Sequence, residues 1–138
     1  MTLSRSRMSR RPTTRLVESR LLYRAAGDVV DARSGGRCEI CRNAHATEHQ
    51  HRIRRGTGGS SRNPAIHRVS SLLHLCQPCH HDADHHPDRF DLGWSVRRGN
   101  DPAAQPVLLG GEFWLLADDG TRTQTPRGGE MCAENAAR

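Results

Sequence analysis

The sequence predicts a small α+β domain held by a four-cysteine metal staple, with a basic N-terminal helix and tail and a short C-terminal β appendage. Three observations predict it. Two C-x-x-C pairs, Cys38-Glu39-Ile40-Cys41 and Cys76-Gln77-Pro78-Cys79, bracket the middle of the chain. Apolar residues recur at helical spacing before the first pair, and short apolar runs bounded by turn residues follow the second. The chain has 138 residues, of which 34% are hydrophobic, with two Phe, two Trp and one Tyr. So thin a core is not secure without a staple.

Residues 1–14 are polar, basic and aperiodic, and read as a disordered tail. Over residues 15–33, Leu16, Val17, Leu21, Leu22, Ala25 and Val29 fall at helical spacing, interrupted at Gly27-Asp28. Ser34-Gly35-Gly36 is a turn into Cys38. Residues 34–90 form the candidate functional domain, in which residues 46–53 read as a short strand and residues 56–64 as a Gly/Ser-rich loop. Residues 91–120 form the β appendage, with strands at residues 93–96, 107–109 and 113–116 and a turn at Asp118-Asp119-Gly120. Residues 121–138 read as a flexible tail containing Cys132, a fifth cysteine with no assigned role.

Each C-x-x-C pair aims two thiolates at one point, and two such knuckles complete a tetrahedral four-thiolate zinc site of Cys38, Cys41, Cys76 and Cys79. Cys76 to His80 also fits the C-x-x-C-H pattern of haem attachment, but that leaves Cys38 and Cys41 unexplained. No run approaches the length of a membrane span, and the N-terminus lacks the apolar stretch of a secretory signal. A reducing cytoplasm is the expected location, where clustered cysteines bind metal rather than pair as disulfides.

The net charge of +6 and pI near 9.9 favour a polyanionic partner. All 21 basic residues are arginine. From His49 through His81 there is no acid, while Arg52, Arg54, Arg55, Arg62 and Arg68 supply guanidinium groups for phosphates. All nine histidines lie between residues 45 and 86. On a strand, His49 and His51 share one face and Glu48 and Gln50 the other. His80, His81, His85 and His86 follow the second knuckle; on a helix His81 and His85 share a face. A neutral imidazole in such a cluster serves as metal ligand or general base.

The ordered combination of Cys38, Cys41, His51, Arg55, Gly58-Gly59, Leu72-Leu73, Leu75, Cys76, Cys79 and His80 resembles the HNH endonucleases that carry a zinc ribbon, the small phage and bacterial type. The match covers about fifty residues. The resemblance implies a ββα-metal fold, a β-hairpin followed by a helix with a divalent metal such as Mg2+, Mn2+ or Ni2+ between them. It implies hydrolysis of DNA phosphodiesters, with His51 as general base and His80 as a catalytic-metal ligand. Arg52, Arg54, Arg55 and Arg62 would grip flanking phosphates of double-stranded DNA with low sequence specificity.

The sequence departs from the family at two points. Gln50 stands where a metal-binding Asp or His is usual, so His49, or else Glu48, is expected to supply that ligand. Ser71 aligns with the Asn that orients the catalytic histidine; Asn63 lies in the preceding loop. These departures motivate the alternative, a zinc-ribbon DNA-binding module without catalysis.

Overall fold

The structure, a computed structural model, describes residues 11–56 and 63–126. Thr13 opens helix α1 (Thr14–Ser34): its hydroxyl accepts from the Leu16 N–H at 3.3 Å. Gly35 closes it in the left-handed conformation, its N–H bonded to the Asp31 carbonyl at 3.0 Å.

Two details of α1 differ from the sequence expectation. The helix runs unbroken through Gly27-Asp28. Gly27 is buried against the His49 ring, and a Cβ there would lie 3.2 Å from His49 Cε1, so its lack of a side chain serves close approach. The packed face is also not the leucine face. Ser19, Ala26, Gly27, Val30 and Ser34 are buried, whereas Val17, Leu21 and Leu22 are 41%, 58% and 49% exposed.

Strand β1 (Glu48–His51) pairs antiparallel with β2 (Leu72–Leu75), in the register Glu48 to Leu75 and His51 to Leu72. Two 3₁₀ turns, Pro64–His67 and Val69–Ser71, lead into β2. Helix α2 (Gln77–His85) starts inside the second knuckle, with Pro78 in the first turn where its missing N–H costs nothing. The order strand, strand, helix is the one the sequence expectation required.

A second antiparallel sheet follows, in the order β3 (Val107–Leu109), β4 (Glu112–Leu116) and β5 (Arg122–Gln124). The β5 strand falls in the segment expected to be a flexible tail; its pairing with β4 supplies the order that its composition does not signal. Residues 127–138, with Cys132, and residues 1–10 lie outside the described residues. The strand expected at residues 93–96 is instead a turn. Gly93 has φ 71°, and a Cβ there would sit 1.8 Å from the Pro106 carbonyl oxygen, so only glycine fits.

The main core joins the knuckles to the appendage: Cys38, Leu73, Leu75, Cys76, Ala83, Trp94, Val107, Leu109 and Leu116 pack together. The Trp94 indole donates to the Leu108 carbonyl at 2.8 Å. Helix α1 is attached separately, by Ala26 and Val30 on Val69 and Leu72. It is further pinned by a buried bidentate pair, Arg33 Nε to Glu39 Oε1 at 2.7 Å and Nη2 to Oε2 at 2.8 Å. Arg33 also donates to the Val69 and Leu72 carbonyls, and Glu39 accepts the His74 N–H. Every group of this buried pair therefore has a partner, the condition under which burial of charge is tolerated.

Candidate functional site

The four knuckle sulfurs all lie within 4.8 Å of one another. Cys41 and Cys76 Sγ are 3.9 Å apart. A tetrahedral four-thiolate zinc with bonds of about 2.3 Å needs sulfur separations of about 3.8 Å, so the cluster is compatible with a structural metal such as zinc. The first knuckle closes through Arg42, whose N–H reaches the Cys38 carbonyl at 2.9 Å and whose φ of 60° makes the turn. Burial acts upward on the Cys41 thiol, but backbone N–H groups of Asn43 and Ala44 outweigh it and bring its pKa to about 7. Burial pushes Cys76 and Cys79 up. A divalent cation resolves this conflict by displacing the protons.

Beside the hairpin lies an open cleft of about 500 Å³, lined by Tyr23, His49, His51, Arg54, Arg55, His80 and Asp84. The strand alternation distributes its chemistry. His49 and His51 face α1; Glu48 and Gln50 face α2. His51 and His80 therefore reach one cavity from different elements.

His51 is at the centre of a relay. Its Nε2 lies 3.2 Å from His67 Nδ1 and 3.3 Å from Arg55 Nη2, and His67 Nε2 lies 2.9 Å from Ser19 Oγ. In one arrangement of the protons the Ser19 hydroxyl donates to His67 Nε2, and His67 Nδ1–H and Arg55 share the one lone pair on Nε2 of a neutral His51. Tyr23 stacks on the His51 ring at 5.2 Å, with Arg55 5.1 Å above the Tyr23 ring. Burial, then the Arg55 charge, drives the His51 pKa down to about 3, and His67 is lowered by the same two causes. Both rings are neutral at physiological pH.

His80, on the first turn of α2, is hydrogen-bonded through Nδ1 to Glu48, and its Nε2 lies 3.5 Å from Asp84 Oδ2. Asp84 is its i+4 neighbour and also accepts from Gln50 Nε2 at 3.3 Å. The two carboxylates stand at opposite nitrogens of one imidazole. The residue beside His80 is thus Glu48, the second of the two alternatives that the sequence left open. His49 instead turns to Asp31, at 2.6 Å.

Other expectations are corrected. Arg52 does not face phosphate: it is 1% exposed and donates to the carbonyls of Gly93, Ser70, Pro102 and Gln105 at 2.8–2.9 Å. Burial lowers its pKa to about 9, which leaves it cationic at neutral pH. Ser71 does not orient His51; it is fully buried, with its hydroxyl near the Ala65 carbonyl at 3.4 Å. Asn63 caps the 3₁₀ turn at Ala65. Beside Arg55 and Tyr23, the ring in contact with His51 Nε2 is that of His67, eight positions after Gly59 and without a spacing signal of its own. Gln50 is buried and donates to Asp84 and the Trp94 carbonyl.

Arg54 and Arg55 are exposed at the cleft, as expected; Gly58, Gly59 and Arg62 lie outside the described residues. Arg68 is committed to Asp101 and Asp118 at 2.9 and 2.7 Å. Sequence reasoning missed Tyr23, His67 and Asp84. It also missed Arg97 and Arg98, which line a groove of about 300 Å³ next to Arg54 and Phe90. Only Asp84 had a signal, its i+4 spacing from His80.

No protein-family model, curated protein or solved structure matches this chain. Among the described residues, no helix is long and apolar enough to cross a membrane.

Proposed function

We propose that this protein is a metal-dependent endonuclease of the HNH type, acting on DNA phosphodiesters. The observation that carries the reading is the cleft itself. It joins a neutral imidazole (His51), a second imidazole between two carboxylates (His80, with Glu48 and Asp84) and two exposed guanidinium groups (Arg54, Arg55).

In this reading Glu48 orients the His80 imidazole at one ring nitrogen, and the other ring nitrogen and Asp84 would hold the divalent ion. When bound, it neutralises charge on the scissile phosphate and its leaving oxygen. Arg54 and Arg55 bind the flanking phosphates. When Arg55 moves to a phosphate it vacates His51 Nε2 and withdraws the positive charge that, after burial, depresses its basicity most. With Arg55 gone the tautomers reverse, His51 Nε2–H donating to His67 Nδ1 and His67 Nε2–H to the Ser19 hydroxyl oxygen, which leaves the His51 Nδ1 lone pair to accept the proton of an attacking water. His67, backed by Ser19, holds the ring in position through the same step. Arg97 and Arg98 extend the cationic surface beyond Arg54.

Gln50 and Ser71 favour a second reading, a zinc-ribbon module that binds DNA without cutting it. Neither side chain does what its family counterpart would. One assay separates the two: supercoiled plasmid incubated with the zinc-loaded protein and Mg2+, Mn2+, Ni2+ or EDTA. The nuclease reading expects metal-dependent nicking that falls by about 10²- to 10⁴-fold in His51→Ala. A salt-sensitive gel shift with intact plasmid under every metal would leave only the binding module.

A further inference from the structure

A second set of metal-ligating atoms lies on the α1 side of the hairpin, apart from the knuckles and from His80. Asp31, His49 and His74 each offer one ligand atom, and the three atoms lie within 4.8 Å of one another. His49 Nε2 is 2.6 Å and His74 Nδ1 3.4 Å from the same oxygen, Asp31 Oδ1. The two rings lie 4.9 Å apart. We propose that Asp31, His49 and His74 form a second metal site, which takes a borderline divalent cation such as Zn2+, Co2+ or Ni2+ and clamps helix α1 onto the β1–β2 hairpin.

The donor types fit such a cation: two imidazoles and one carboxylate, with the remaining positions open to water. The spacing fits as well. Bonds of about 2.0–2.1 Å in tetrahedral array put ligand atoms about 3.3 Å apart, so His74 and Asp31 already stand at that separation. The His49–Asp31 hydrogen bond has to open by well under 1 Å, and the His49 and His74 nitrogens, within 4.8 Å of each other, have to settle at about the same spacing. Asp31 is 49% exposed, so it can turn and the ion can enter.

Both rings are held by their surroundings. His49 is seated by the absent Cβ of Gly27 and by the edge of Tyr23 at 6.1 Å. The Ser34 hydroxyl donates to the Asp31 carbonyl and lies 2.8 Å from His74 Nδ1, which holds the ring; a cation would take the place of the proton on that nitrogen. The ligands come from three elements: Asp31 from α1, His49 from β1 and His74 from β2. Opposite one another in the strand register, His49 and His74 form a cross-strand pair that α1 covers with Asp31. A bound cation would add a cross-link to a helix attached by a small apolar contact, the Arg33–Glu39 pair and the polar and ring contacts of Ser19, Tyr23 and Ser34. Tyr23 contacts both His49 and His51, so the clamp would also steady the wall of the cleft.

The test is a Co2+ titration of full-length protein already carrying one zinc, in a His80→Ala background that removes the other candidate site. The expected result is one further Co2+ per chain, with visible d–d absorption and without the near-ultraviolet thiolate band that cobalt in the cysteine site would give. Asp31→Asn, a change at an exposed position, should weaken this binding at least tenfold, as should His74→Gln, with a rise in Tm on Co2+ addition that both variants lose. Unchanged binding in Asp31→Asn and His74→Gln would overturn the assignment. Binding abolished by His85→Ala instead would assign it to the stacked His81–His85 pair on α2. Absence of any uptake beyond the cysteine site would overturn it too. Plasmid nicking by the wild-type protein is read separately, so failure here leaves the nuclease proposal standing.

Discussion

Arg52 offers the sharpest test of how this structure divides building from function, because its neighbours in sequence, Arg54 and Arg55, are exposed at the cleft while it is buried. Consider Arg52→Met, which keeps most of the apolar stem and removes the guanidinium. Four carbonyl oxygens, of Ser70, Gly93, Pro102 and Gln105, lose their donor. Charge-assisted bonds are worth about 1.5–3 kcal/mol each, and their simple sum overshoots because the buried cation was itself stripped of water at a cost of several kcal/mol. What remains is neutral carbonyls without a donor, at about 1–3 kcal/mol for each that stays buried, so after that offset a net loss of roughly 3–5 kcal/mol is expected. Against a total stability of about 5–15 kcal/mol this is severe. Urea denaturation of the zinc-saturated protein should show a lower midpoint with an unchanged slope. Arg55→Met should stay within about 0.5 kcal/mol of wild type, yet lower DNA affinity and reduce the salt slope by about 0.9. A loss below about 1 kcal/mol for Arg52→Met, with weakened DNA binding instead, would refute the assignment of Arg52 to the scaffold.

The zinc framework and the cleft should respond separately. Cys38→Ser and Cys76→Ser are expected to lose bound zinc and the cooperative melting transition, as chelation of the wild type should, whereas His51→Ala keeps both; zinc content and thermal melts report this, and three alike melts would sink the distinction. Acid should destabilise the fold in a defined window. His51 and His67 have folded-state pKa values below their ordinary value of 6.5, so the unfolded chain takes up protons first. Their contribution is complete above about pH 6.5 and is lost as pH falls towards 3. Stability plotted from pH 7 to 5 should therefore be steeper for wild type than for His51→Gln, the zinc thiolates being common to both; equal slopes would show that His51 is not held neutral.

Much of this organisation was legible in the chain. The C-x-x-C spacing marks the knuckles because two thiolates three residues apart converge on one ion whatever surrounds them. The alternation of residues 48–51 places His49 and His51 on one side because side chains in any strand alternate. The helix at residues 14–34, the two strands at 107–109 and 112–116 and the use of Gly35 as a stop follow from local rules of the same kind.

What local rules did not carry is everything that depends on which distant residue arrives. The stretch from His49 to His81 contains no acid, yet in space the cleft holds Asp84, and Glu48 stands beside it. Arg68, in that same stretch, is occupied by Asp101 and Asp118. Arg52 and Arg54 are indistinguishable as residue types, but the turn at Gly93 and the loop at Pro102–Gln105 close over one and not the other. His67 reaches His51 because a 3₁₀ turn aims it there, without any periodic signal. The sequence by itself determined where the metal-binding groups lie along the chain, since ligand spacing is a local property. Only the tertiary structure decided which charges are neutralised, buried or left facing the cleft, since desolvation and pairing are set by neighbours brought together by folding.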